Sequence, residues 1–152
     1  MDCIIARGKT FEEARKNIRI LREKYPKSKI GFVGCDDALN RKILEKELID
    51  FLVILQANRK DSAKQRQSGF NEVLAKIAKK NKVIIGICLD EIIESQGKIK
   101  SDILARIRQN VKLSAKNKLN MRFCGKTKRD SYALKALGSS LGMPTWMTKK
   151  LF

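Results

Sequence analysis

The chain of 152 residues contains no histidine. That removes the commonest general base near neutral pH and the commonest nitrogen ligand of zinc together. Aromatic residues make up only 6%, and they form no cluster of the kind that stacks splayed bases on a sheet. Proline occurs 2 times and glycine 9 times, too seldom for a long disordered segment. No apolar run reaches the roughly 18 residues that a membrane span needs. The run Cys3-Ile4-Ile5-Ala6 near the start is too short for the core of a signal peptide. The four cysteines, Cys3, Cys35, Cys88 and Cys124, include no CxxC pair. The first three sit in or at the end of apolar runs and Cys124 follows Phe123, so they read as buried thiols of a reducing cytoplasm.

What the chain has in excess is positive charge. It carries 34 Lys+Arg against 16 Asp+Glu, a formal net charge of +18. A compact fold with that surplus repels itself, so a polyanionic partner is expected, nucleic acid before an acidic membrane surface. The cations are spread along the whole chain, which suits a folded domain with a basic face better than a basic tail. The hydrophobic content of 43% is that of a globular protein, and the length suits one domain over residues 1–152.

The hydrophobic pattern alternates between strand and helix five times. Strands are expected near Cys3–Ala6, Lys29–Gly34, Phe51–Leu55, Lys82–Cys88 and Asn120–Cys124. Between them, helical spacing brings together Phe11, Ala14, Ile18 and Leu21; Leu39, Ile43, Leu44 and Leu48; Phe70, Val73, Leu74 and Ile77. A long helix over about 101–117 has Ile103, Leu104, Ile107, Val111 and Ala115 facing inward, and a last one from Asp130 buries Ala133, Leu134, Leu137 and Leu141. Thr10 and Glu13 have capping-box spacing. Strict alternation implies a parallel sheet with right-handed crossovers. The expected fold class is therefore α/β, a sheet of about five βα units, either open or part of a barrel.

Two segments concentrate the cations. The polar loop 56–68 holds Arg59, Lys60, Lys64 and Arg66 against Asp61, and the stretch 112–129 holds Lys112, Lys116, Lys118, Arg122, Lys126, Lys128 and Arg129 with no acid. A third helix ends in Lys79-Lys80. Cations at this density suit a phosphate backbone, each one neutralised releasing a counterion; Lys79, Lys80, Lys116 and Lys118 also suit helix C-termini on dipole grounds alone. Single replacements such as Arg59→Ala are expected to flatten the salt dependence of binding by about one unit. The competing reading is a metal-dependent nuclease or phosphoesterase, with Asp36, Asp37, Asp90 and Glu91 gathered at strand ends around Mg²⁺. Against it, Asp36 or Asp37 is placed to cap a helix, and Asp90 and Glu91 begin a loop. Gly125-Lys126-Thr127 is no P-loop, because the position that needs glycine is Asn120.

Several segments, in order, carry a family resemblance. They are Asn58-Arg59-Lys60-Asp61 after a strand; Ser68-Gly69-Phe70-Asn71-Glu72-Val73-Leu74-Ala75-Lys76; Lys79-Lys80-Asn81-Lys82-Val83-Ile84-Ile85-Gly86-Ile87; Ile103–Arg106 through Asn110–Leu113; and Leu137-Gly138-Ser139-Ser140-Leu141-Gly142-Met143. Over residues 58–143 the chain resembles the ribonuclease P/MRP 30 kDa subunit family, called protein component 3 in archaea; residues 1–57 share its general layout. The resemblance implies a TIM-barrel-like fold and a cytoplasmic, non-catalytic role beside a catalytic RNA that removes the 5′ leader of precursor tRNA. It implies ribonuclease P RNA, protein component 2 and other protein subunits as partners, with precursor tRNA met indirectly. No cofactor is expected on this chain, and Mg²⁺ is expected on the RNA subunit. Carried over by position, Arg59, Lys79, Lys80 and Lys112 head the residues expected to contact RNA, with Lys60, Lys64, Arg66, Lys116, Arg122, Lys126, Lys128 and Arg129 beside them. The family is longer, and about two N-terminal βα units have no counterpart here; a reduced or incomplete barrel would leave sheet edges for a partner to cover.

Overall fold

Local chemistry decides where the first helix begins. The Thr10 hydroxyl accepts from the Glu13 amide at 3.3 Å, and the Glu13 carboxylate reaches back to the Lys9 amide at 3.0 Å. The box therefore closes one residue earlier than its usual form. The computed structural model describes residues 3–34 and 36–151, with every side chain among them except that of Cys3; the expectation of a buried thiol at Cys3 and at Cys35 lies outside it. Five strands, β1 (Cys3–Arg7), β2 (Lys29–Gly34), β3 (Phe51–Ile54), β4 (Ile84–Cys88) and β5 (Met121–Cys124), are linked by helices α1 (Phe11–Lys24), α2 (Asp37–Lys46), α3 (Glu72–Lys80), α4 (Leu89–Glu94) and α5 (Gly97–Lys116). Helices α6 (Ser131–Ser140) and α7 (Thr145–Thr148) follow the last strand.

All pairings are parallel, and the strand order is β1-β2-β3-β4-β5. Crossovers of one hand that always step in one direction put their helices on one face of the sheet. In agreement, α1 packs on α2, α2 on α3, and α3 on α5. This is the layout of a barrel wall, as expected for a reduced TIM-barrel-like fold, and among the described strands the order nowhere reverses to open a ligand crevice. Among the described residues β1 and β5 stand at the two ends of the sheet.

The register aligns Ala6, Phe32, Leu52, Ile85 and Met121 in one row across the five strands. None is more than 1% exposed, and all five belong to the core that the helices close. Each of the four larger side chains contributes roughly 1.5–3 kcal/mol by leaving water. On the opposite face, Val33 and Val53 share a row with Gly86 and Arg122. There the Arg122 guanidinium and the Lys29 ammonium each lie 5.8 Å from the centre of the Phe51 ring. Phe51 is 2% exposed, and these two cations lie over its ring.

Several expectations need correction. Leu48 lies beyond the end of α2 and is 85% exposed, and Val73 is 51% exposed on α3, whose buried face is Leu74, Ala75 and Ala78. Phe70 is buried but precedes its helix. Asp90 and Glu91 begin the short helix α4, not a loop, and α5 starts at Gly97. On α6, Ala133 is exposed and Leu134 and Leu137 are half-buried, so of the expected four Leu141 is buried. Cys88 and Cys124 are half-buried and carry no disulfide.

Candidate nucleic-acid interface

The loop between β3 and α3 leaves the sheet under tight control. Glu91, on α4, accepts from the Gln56 amide at 2.9 Å and from the Ala57 amide at 2.9 Å. The Gln56 side chain, 2% exposed, donates to the Ser68 carbonyl at 2.8 Å, and Asn110 of α5 donates to the same carbonyl at 3.3 Å. Entry and exit of the loop are thus pinned together, and the segment 56–68 is a compact Ω-like excursion. Its tip is a tight turn: the Ser62 amide donates to the Gln65 carbonyl at 3.0 Å, and the Gln67 amide donates to Asp61 at 2.9 Å.

Two arginines hold this loop from beneath. Arg106 of α5, 5% exposed, donates to Asp61 at 3.1 Å, to the Gln56 carbonyl at 3.2 Å and to the Arg59 carbonyl at 3.0 Å. Its planar fork suits three acceptors at once, which a lysine ammonium could not match. The Arg106 hydrogen bond, and next that of the Gln67 amide, hold the Asp61 carboxyl below its ordinary value. Arg59 donates to the Leu55 carbonyl at 2.6 Å and pairs with Asp37 at 3.0 Å. Its guanidinium lies against Gly69, which has φ +72°, and a Cβ at Gly69 would overlap it. Arg59, expected to contact RNA, is here 12% exposed and committed inside the chain.

What this scaffold displays is a pair of adjoining grooves. One, of ≈ 560 Å³, is lined by Arg66, Ala105, Arg108, Gln109, Val111, Lys112, Leu141 and Gly142. The other, of ≈ 620 Å³, is lined by Asp61, Ser62, Lys64, Gln65, Arg66 and Gln109. They meet at Arg66 and Gln109. Lys64, Arg66, Arg108 and Lys112 are exposed, and none of them is in an ion pair with a described carboxylate. The one carboxylate lining either groove is Asp61, already held by Arg106. A recess walled by one sign of charge concentrates field lines toward an anion.

The structure therefore brings together Lys64, Arg66 and Lys112 of the expected residues and adds Arg108, which lies outside the basic segments 56–68 and 112–129. Helical spacing of four residues is the signal that could have joined Arg108 to Lys112. The others lie elsewhere. Lys79 donates to the Lys118 carbonyl at 2.8 Å, Lys116 pairs with Glu72 at 3.4 Å, and Lys80 is exposed at the end of α3. Arg122 lies over Phe51 on the sheet. Lys126, Lys128 and Arg129 are exposed between β5 and α6, and the Lys126 amide donates to Asp90 at 3.2 Å. Lys60 is exposed beside Arg59.

The four carboxylates of the competing reading are separately engaged. Asp36 caps α2 by accepting from the Leu39 amide at 2.9 Å, Asp37 pairs with Arg59, Asp90 takes the Lys126 amide, and Glu91 takes the amides of Gln56 and Ala57. Among the described residues no three His, Cys, Asp or Glu side chains gather as a metal site would require. No described helix is long and apolar enough to cross a membrane.

No family model matches the chain. It is 34% identical over 91 residues to ribonuclease P protein component 3 of Methanosarcina acetivorans, a match covering 60% of this chain and 35% of that protein. It is 28% identical over 119 residues to the protein of the same name from Methanococcus maripaludis, covering 78% of this chain and 48% of that protein. The chain thus spans between 35% and 48% of the curated relatives it matches. Among solved structures, a chain of an archaeal ribonuclease P determined with mature tRNA superposes with a TM-score of 0.80 over 98% of this chain and 63% of that one, at 23% identity. The likeness to protein component 3 read from residues 58–143 is borne out by these relatives, and the structural match bears out the fold.

Proposed function

We propose that this chain is an RNA-binding, non-catalytic protein subunit of a ribonuclease P, supporting RNA-catalysed removal of the 5′ leader from precursor tRNA. The observation that carries the reading is a row of cations in no ion pair with a described carboxylate: Lys64 and Arg66 on a loop that Arg106, Glu91 and Gln56 hold in place, and Arg108 and Lys112 on α5 beside it. A rigid basic rim loses little conformational entropy when it meets a phosphate backbone, so more of the electrostatic gain appears as affinity. The names of the relatives, and the ribonucleoprotein in which the structural neighbour was determined, support the same assignment.

On this reading the partners are ribonuclease P RNA, protein component 2 and the other protein subunits; precursor tRNA is met through them, in the cytoplasm. Mg²⁺ chemistry belongs to the RNA subunit, and the role of this chain is to bind and stabilise the active shape of that RNA. Reconstitution tests the proposal: the chain is added to cognate ribonuclease P RNA with the other protein subunits, and precursor tRNA cleavage is followed. The expected result is faster cleavage, or cleavage at lower Mg²⁺, when the chain is present, and salt-sensitive binding of the chain to the RNA. Omission without any effect on cleavage overturns the assignment.

A further inference from the structure

A phosphate-backbone contact needs only a row of cations on a flat surface. The groove between α5 and the loop 61–67 has more than that. Its lining joins Arg66, Arg108 and Lys112 to the apolar Ala105, Val111 and Leu141. Its ≈ 560 Å³ falls within the roughly 300–1,000 Å³ typical of small-molecule sites. Gly142 lies at its edge with φ +93°, and a Cβ there would meet nothing within 4 Å, so the mouth stands open. A groove lined by both cations and apolar side chains matches a ligand with one apolar face and one anionic group.

We propose that this groove is a subsite for a single extruded nucleotide of a structured RNA, its phosphate on Arg66, Arg108 and Lys112 and its base against Ala105 and Leu141. The proposal rests on the RNA-binding reading and deepens it. Ala105 and Leu141 give the base an apolar face to lie on in a chain whose aromatic residues are few. Because no carboxylate lines this groove, the phosphate meets no like charge on its walls. The loop side of the groove is held by Arg106 through Asp61 and the Arg59 carbonyl, and Gln109 bridges α5 to the Arg66 carbonyl at 3.4 Å. The recess is therefore formed before any ligand arrives, which limits the ordering cost of binding.

The test uses the full chain. Adenosine monophosphate and inorganic phosphate are titrated separately while backbone amide resonances are followed by NMR. Two hairpin RNAs of equal phosphate count, one fully paired and one with a single bulged nucleotide, are then compared at matched salt. The nucleotide should shift residues 105–112 and 141–142 and bind about tenfold more tightly than phosphate, the equivalent of one base stacked. The bulged hairpin should be preferred by a similar factor of about ten. Ala105→Phe, which fills the recess, should remove that preference and leave the salt slope intact; a thermal melt checks that the variant is folded. Lys112→Glu, at an exposed position without an ion-pair partner, should weaken both hairpins and the nucleotide. Phosphate binding as tightly as the nucleotide, or equal affinity for the two hairpins, overturns the subsite while RNA binding stands. Failure of both hairpins to bind in a salt-dependent way overturns the RNA-binding reading itself, and the subsite with it.

Discussion

Replacing Arg106 by methionine keeps an unbranched apolar stem of similar length and removes a three-way hold on the β3–α3 loop. The carbonyls of Gln56 and Arg59 lose charged donors at 3.2 and 3.0 Å. Hydrogen bonds to charged groups are worth about 1.5–3 kcal/mol each, and the methionine stem recovers part of the packing. Asp61 is exposed enough to regain water when its partner goes, unlike the stranded charge that makes breaking a fully buried pair cost ~3–5 kcal/mol. The net loss should therefore be about 2–4 kcal/mol, read as a lower urea midpoint at unchanged m-value. Amide hydrogen exchange should quicken across residues 57–68 more than elsewhere. RNA affinity should fall several-fold because Lys64 and Arg66 are no longer held in place, while the slope of log affinity against log salt stays near that of the parent, since Arg106 faces inward. Arg106→Lys should restore only part of the stability, because an ammonium cannot reach three separate acceptors. A salt slope reduced by about one unit with stability unchanged would place Arg106 on the phosphates and refute this reasoning.

Other consequences follow from the same contacts. Because Arg106 depresses the Asp61 pKa, the Asp61 contribution to stability is present above the unfolded value of about 3.9 and is lost only as pH falls through the lower folded value; an NMR titration of Arg106→Met should find the Asp61 pKa risen toward the ordinary value. Arg66→Ala, Arg108→Ala and Lys112→Ala should each flatten the salt slope by about one unit with little change in melting temperature, whereas Lys79→Ala, which removes a donor from the Lys118 carbonyl, should leave the slope nearly unchanged. Gly69→Ala combines a left-handed backbone with overlap on the Arg59 guanidinium and should cost at least about 2 kcal/mol, against about 1 kcal/mol for Gly97→Ala, where φ is also positive but nothing lies near; comparative urea melts decide it. Burial pushes the Cys88 thiol above its ordinary pKa, so at pH 8 it should be alkylated by iodoacetamide more slowly than glutathione, and equal rates would contradict its placement.

The amino-acid sequence alone determined the order and kind of nearly every element, because each strand is a short, mostly apolar run and each long helix an amphipathic stripe, with side-chain caps at α1, α2, α3 and α6. Helix α1 begins and ends where Thr10, Glu13 and Pro26 place it, and β2 spans the expected Lys29–Gly34. Positive charge in excess and the absence of histidine were equally visible in one dimension. The short helices α4 and α7 were not, since six and four residues carry too little periodicity to stand out from a loop. Nor was the division of labour among arginines. Arg59, Arg66, Arg106 and Arg108 are alike in composition, and what separates them is which carbonyls and carboxylates the folded chain brings within reach. Packing between segments 45 to 50 residues apart turned Arg106 inward as a support, Asp37 of α2 and the Leu55 carbonyl hold Arg59, and Arg66, Arg108 and Lys112 are left around a recess.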